Sequence, residues 1–185
     1  MKIIPFLDKK LNWKSTLLLF LTSAFLAAAI LTQFFGLLKL EPKATMDPLF
    51  YYSSDTFFNN IDAQGETGRQ AYLYLHLLDY LFITRFYLFF ALVIRLFLKK
   101  LNAPEKLGFL CLLPFVSAIM DILENLSIDI SILIFPQKIV LLGAASGIFS
   151  CLKMLFLYVW FIIVVVLLVL VIIQAVKKFI PKASS

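Results

Sequence analysis

The sequence predicts an all-α fold: a four-helix transmembrane bundle with a short external helical loop between spans 1 and 2. Three observations predict it. Apolar residues fill 62% of the 185 positions and charged residues only 15%, more apolar surface than a soluble domain of this length can hide. Apolar runs long enough to cross ~30 Å of hydrocarbon recur four times along the chain. Lysine and arginine collect at alternate ends of those runs. With four spans of ~20 residues there is room for little else, so 1–185 is read as one transmembrane domain.

The first span is expected at 16–38, behind the basic start MKIIPFLDKKLNWK. That start resembles a signal peptide, and AAA within the run mimics a cleavage site. The apolar run exceeds the ~7–15 residues of a signal-peptide core, so an uncleaved signal anchor is expected. The external loop covers 39–70. Within it, Ser53 or Ser54 can cap a short helix with Phe57, Phe58 and Ile61 on one side. Such a helix either lies on the membrane interface or packs as a lid on the bundle. Gly65 and Gly68 are expected to break it before the second span, 71–98. The third span is expected at 107–130 and the fourth within 139–176. The last stretch exceeds the ~20 residues needed to cross, so it must tilt or bend, and GAASG at 143–147 is the expected bend.

Lys2, Lys9, Lys10 and Lys14 precede the first span; Arg95, Lys99, Lys100 and Lys106 join the second to the third; Lys177, Lys178 and Lys182 follow the fourth. The other side holds Lys39, Lys43, Arg69 and Lys138. The positive-inside rule then makes the protein multi-pass with cytoplasmic N- and C-termini. The net charge of +6 is therefore an orientation signal, and nucleic acid is not an expected partner. The lipid bilayer is. Cys111 and Cys151 sit singly in apolar runs and read as small buried side chains.

Polar residues inside the spans are costly and therefore informative. At 100° per residue, Arg69, Tyr72, His76, Asp79 and Tyr87 fall on one stripe of the second span. Pro114, Ala118, Asp121 and Asn125 fall on one stripe of the third, with Ser117 and Glu124 on its shoulder. Gly143, Ser146, Ser150 and Lys153 form a third stripe, whose small residues would let a neighbouring helix approach closely. Counting turns from the ends puts the ionisable members in one layer of the outer half. The candidate ligand-binding residues are Asp79, Asp121, Glu124, Asn125, His76, Tyr72, Arg69 and Lys153, with Arg69 and Lys153 balancing the acids. Asp129 reads as interfacial. Arg85 faces away and is expected to snorkel, to pair across an oligomer contact or to join a partner membrane subunit.

Three functions fit this pattern. A buried polar pocket can bind a small or lipid-like ligand, with transport or sensing following from binding. Buried ion pairs can instead only lock the helices of a structural or accessory subunit. His76 with a carboxylate can do acid–base work on a lipid, although no serine or cysteine is placed as its nucleophile, so no catalytic residue is assigned. A single histidine excludes a zinc site of three imidazoles. No phosphate loop or dinucleotide fingerprint is present, and no cofactor or metal is expected.

GETGRQAY leading into the second span, Asp79, Pro114, DILEN in the third span and Lys153 in the fourth resemble a pattern of bacterial four-span integral membrane proteins of unassigned activity. The resemblance covers the last two-thirds of the chain and implies a bacterial cytoplasmic membrane. FITRFY stands where the pattern has a proline soon after Asp79. The topology is also similar to that of claudin-type tetraspans and of the sterol-isomerase and sigma-2-receptor group. The claudin Trp and Cys pattern is missing from the first loop, and the second likeness stops at four spans with buried acids.

Overall fold

The computed structural model describes residues 3–10, 12–32 and 49–179. The last part of the first expected span (33–38), the first part of the loop (39–48), Lys2 and Lys182 lie outside them. The described residues form six α-helices and one 3₁₀ segment, without strands. Four helical stretches are long and apolar enough to span a membrane: Lys14–Thr32, Gly65–Lys100, Glu105–Leu133 and Val140–Lys177. The protein is accordingly an all-helical membrane bundle.

The basic start is itself helical. Helix α1 (Ile3–Lys10) ends where Asn12 caps α2 (Trp13–Thr32), its Oδ1 accepting from the Ser15 amide at 2.7 Å. Leu7 of α1 is wholly buried against the bundle, and Asp8 pairs with Arg95 and Lys99, both at 2.8 Å. Helix α3 (Ser54–Ala63) begins as expected, with Ser53 Oγ accepting from the Thr56 amide at 3.2 Å. Phe57, Phe58 and Ile61 are buried, so its apolar face closes on the bundle as a lid.

Gly65 adopts φ +63°, a left-handed conformation that glycine takes without strain, and α4 (Gly65–Lys100) starts there. Gly68 does not break the chain as expected; it lies inside α4, where neighbouring turns carry the helix across it. The helix stops in a Schellman turn. Asn102 takes φ +52°, its amide bonds the Lys99 carbonyl at 3.1 Å, and the Ala103 amide reaches the Leu98 carbonyl at 2.9 Å. Pro104 follows and prevents continuation.

The third span opens as a 3₁₀ segment, Glu105–Leu112, before α5 (Leu113–Leu133). Pro114 explains the change of winding. It has no N–H for the Leu110 carbonyl, and its ring would crowd that carbonyl in an α-helix. The Leu113 amide takes the Leu110 carbonyl instead.

Helix α6 (Val140–Phe179) runs unbroken through GAASG. The expected bend is absent, and the small residues serve a close approach. A Cβ on Gly147 would stand 2.0 Å from the Tyr52 carbonyl oxygen, and one on Gly143 would stand 2.6 Å from Ser54 Oγ. The neighbour at Gly143 is the first turn of helix α3, as a close helix approach requires, and the neighbour at Gly147 is the non-helical segment 49–53 leading into it.

Helix α5 lies between α4 and α6, and α2 packs on α4. The buried apolar residues form two clusters. One, at the α3 end, contains Tyr52, Phe57, Ile61, Tyr72, Leu75, Ile128 and Ile132. The other contains Ile83, Tyr87, Leu92, Cys111, Ala118 and Trp160. Along α4 and along α5 the two clusters are separated by a gap, and those gaps hold the polar residues.

Candidate functional site

The gap in α4 contains Asp79; the gap in α5 contains Asp121, Glu124 and Asn125. Helix α6 brings Lys153 to the same place, since Trp160 two turns later already lies in the second cluster. Three of the expected stripes therefore converge on one polar core between two greasy ones.

Lys153 is its hub. The ammonium lies 2.6 Å from Glu124 Oε2 and 3.2 Å from Asp121 Oδ1. The Lys153 side chain is 7% exposed and that of Glu124 not at all. Charges so far from water persist only when paired and hydrogen-bonded. Tyr87 of α4 donates to Asp121 Oδ2 at 3.0 Å. Tyr52 donates to Glu124 Oε1 at 2.9 Å, and its hydroxyl also lies 2.7 Å from Ser146 Oγ on α6. One connected chain of polar contacts thus runs from segment 49–53 through α5 and α6 to α4.

A second set lies on the α4–α5 seam. Asn125 donates through Nδ2 to Asp79 Oδ2 at 2.7 Å. The other amide atom, Asn125 Oδ1, is buried without a hydrogen-bond partner. Toward α3, His76 Nδ1 lies 2.5 Å from Asp129 Oδ1, and Tyr80 donates to Asp129 Oδ2 at 2.7 Å. The Tyr72 ring packs against the His76 ring, tilted by 45° with centroids 4.5 Å apart. From Asp121 to Asp129 the polar groups occupy ~12 Å of helix axis. The layer expected from sequence is thus a slab of that thickness.

Six of the eight expected residues (Asp79, Asp121, Glu124, Asn125, His76 and Lys153) contribute polar atoms to these two sets, and Tyr72 borders them. Arg69 does not join the acids. Its guanidinium sits 3.7 Å over the Phe135 ring and reaches the Ile61 carbonyl at 3.4 Å, tying the α3–α4 turn to the end of α5. Arg69 shares the α4 stripe, but it lies more than two turns from Asp79, too far along the axis to neutralise it. Ser150 donates to the Leu49 carbonyl at 2.7 Å and fixes the start of segment 49–53. Ser117 accepts from Trp160 Nε1 at 3.0 Å, beneath the polar core.

Sequence reasoning placed Asp129 at the interface and passed over Tyr80, Tyr52 as a core member, and the donor role of Ser146. The first two carried a signal. Asp129 follows Asn125 by four residues and Tyr80 follows His76 by four, one helical turn each. Tyr52 carried none, because a residue in an irregular segment has no periodicity to read. Among the described residues no group of three His, Cys, Asp or Glu converges in a way that could hold a metal ion.

Fold and site together define a polytopic helical membrane protein with a buried, charge-rich core between two apolar clusters. The chain matches no family model, no curated protein and no solved structure. Its function is therefore read from this geometry.

Proposed function

We propose that the polar core binds a small or lipid-like ligand whose head is cationic or rich in hydrogen-bond donors. The positive-inside asymmetry supports a position for this core in the outer half of the bilayer. The observation that carries the reading is Asn125 Oδ1, an acceptor with no access to solvent and no donor among the described residues, on the same amide group that holds Asp79. Leaving a buried acceptor unmet costs ~1–3 kcal/mol. An ammonium or hydroxyl beside Asp79 meets Asn125 Oδ1 and a carboxylate at once. Entry is from the α4–α5 seam, where Asp79 and Asp129 are only partly covered while Glu124 is sealed.

A second reading has its own observation. Tyr52, Glu124, Lys153, Asp121 and Tyr87 are joined by direct contacts across every inner element, as a helix lock requires. The two readings assign different halves of the core, and one experiment separates them. Decylammonium carries N–H donors and decyltrimethylammonium carries none. With equal tails and charge, only the first should raise the melting temperature of the detergent-solubilised protein, and Asp79→Asn should remove the difference. Equal effects of the two amphiphiles on the parent protein would leave the whole core as a lock.

A further inference from the structure

The lysine-rich end of the bundle holds a feature unrelated to the polar core. An open groove of about 410 Å³ runs between the end of α4, with the turn that follows it, and the last turns of α6. That size falls among ligand-sized clefts of ~300–1,000 Å³. Leu98, Leu101 and Leu107 form one wall; Leu167 and Leu170 form the other, with Gln174 and Lys177 at its end.

The residues on α6 form an ordered series. Positions 167, 170, 174 and 177 are spaced by three and four, so they share one helical stripe. Along it the chemistry changes from aliphatic to amide to ammonium. The stripe is ~15 Å long, the depth of one leaflet of a ~30 Å hydrocarbon core. Lys177 is exposed and has no acidic partner among the described residues, and neither do Lys100 and Lys106 at the same end. An aliphatic trough one leaflet deep, ending in an amide and an unpaired cation, matches an amphiphile with an anionic head. A neutral lipid would leave Lys177 unanswered, and a short soluble anion would leave the trough empty.

We infer that this groove is a binding site for one anionic phospholipid of the adjacent leaflet. Its acyl chain lies against Leu98, Leu101, Leu167 and Leu170, and its phosphate on Lys177. The Gln174 amide lies between them, at the depth of the ester oxygens. Basic pockets between helices at a membrane face recognise such head groups.

The test uses the full chain in mild detergent, with phosphatidylglycerol and phosphatidylcholine of identical acyl chains added in competition. Retained lipid is counted by native mass spectrometry. The parent protein should keep phosphatidylglycerol preferentially. Lys177→Gln, an exposed change that leaves the packing alone, should reduce that preference about fivefold, the worth of one lysine contact. Lys100→Gln, outside the groove, should leave it unchanged. Leu170→Trp, which fills the trough, should lower occupancy by both lipids. The inference is overturned if the parent shows no preference, or if Lys177→Gln and Lys100→Gln reduce it equally, which would mean a diffuse basic surface. It is also overturned if soluble glycerol phosphate displaces the lipid at matched concentration.

Discussion

Replacing Lys153 by methionine keeps an unbranched side chain, one heavy atom shorter, and removes its charge. Glu124 and Asp121 then face each other across the space that the ammonium held at 2.6 and 3.2 Å. At an effective dielectric of 20 those contacts carry gross attractions of about 6 and about 5 kcal/mol. Desolvation of the three groups opposes most of this, and removing one partner of a buried pair costs ~3–5 kcal/mol net. In a chain of this size, 1 kcal/mol moves the melting midpoint by ~2–4 °C, so Lys153→Met should melt ~6–20 °C below the parent in detergent. Trp160, packed two turns along α6, reports the transition by fluorescence. The control is Lys153→Met with Glu124→Gln. The double variant removes one charge of each sign from the core and should regain at least half of the loss. A single variant within 1–2 °C of the parent, or a double variant no better than the single, would refute Lys153 as the hub.

Gly147→Ala should destabilise by ~1–3 kcal/mol, because a Cβ there meets the Tyr52 carbonyl at 2.0 Å and that backbone must move; the melting midpoint checks it, and a neutral result would contradict the close approach. Asn102→Ala should cost ~1–2 kcal/mol by the same assay, since alanine lacks the side-chain hydrogen bonding that eases the left-handed φ of +52°. Asp8 has its carboxyl held well below the usual range, chiefly by the hydrogen bond from Arg95 and further by Lys99. Its folded-state affinity for protons is lowered, so its contribution is complete above the ordinary carboxylate pKa and lost only as pH falls below it. The protection factors of the α1 amides, measured against intrinsic exchange at each pH, should therefore hold down to about pH 4 and fall below it, and protection lost between pH 6 and 5 would rule Asp8 out.

The transmembrane helices could be read from sequence because hydrocarbon imposes one strong requirement on every spanning residue. Where that requirement competes with local chemistry the reading failed. Pro114 was counted as one member of a stripe, but its missing N–H rewinds the helix before it into 3₁₀ form. GAASG carried a flexibility signal and a packing signal at once. Sequence alone does not say which wins, and the Tyr52 backbone filling the glycine notch decided it. The basic start was read as an anchor's flank, although Leu7 and Asp8 already formed an apolar and an acidic contact point for α4. Within the core, stripe membership was legible and partnership was not. Periodicity fixes the angle around a helix axis, whereas pairing also needs the axial offset between helices. Arg69 shows the difference, correct in angle and too far from Asp79 along the axis.

The offset is also what makes the segment before α3 part of the polar core. Tyr52 lies before α3, yet its hydroxyl meets Glu124 Oε1 and Ser146 Oγ in the polar core. It reaches them because Gly147 lets its backbone rest on α6, while Ser150 holds Leu49 one turn further along. Ser54 donates to the Val140 carbonyl at 3.2 Å at the other end of the same contact. The segment is therefore fastened at three points along α6, and the middle one completes the coordination of a buried carboxylate. Lifting the segment would strip Glu124 of a donor in a place where water is scarce. Lys153 would then have to satisfy two carboxylates with less help. Order in the loop and charge balance in the membrane are thus one equilibrium: whatever stabilises the core also holds the lid, and a ligand that displaces the lid must replace the hydroxyl of Tyr52.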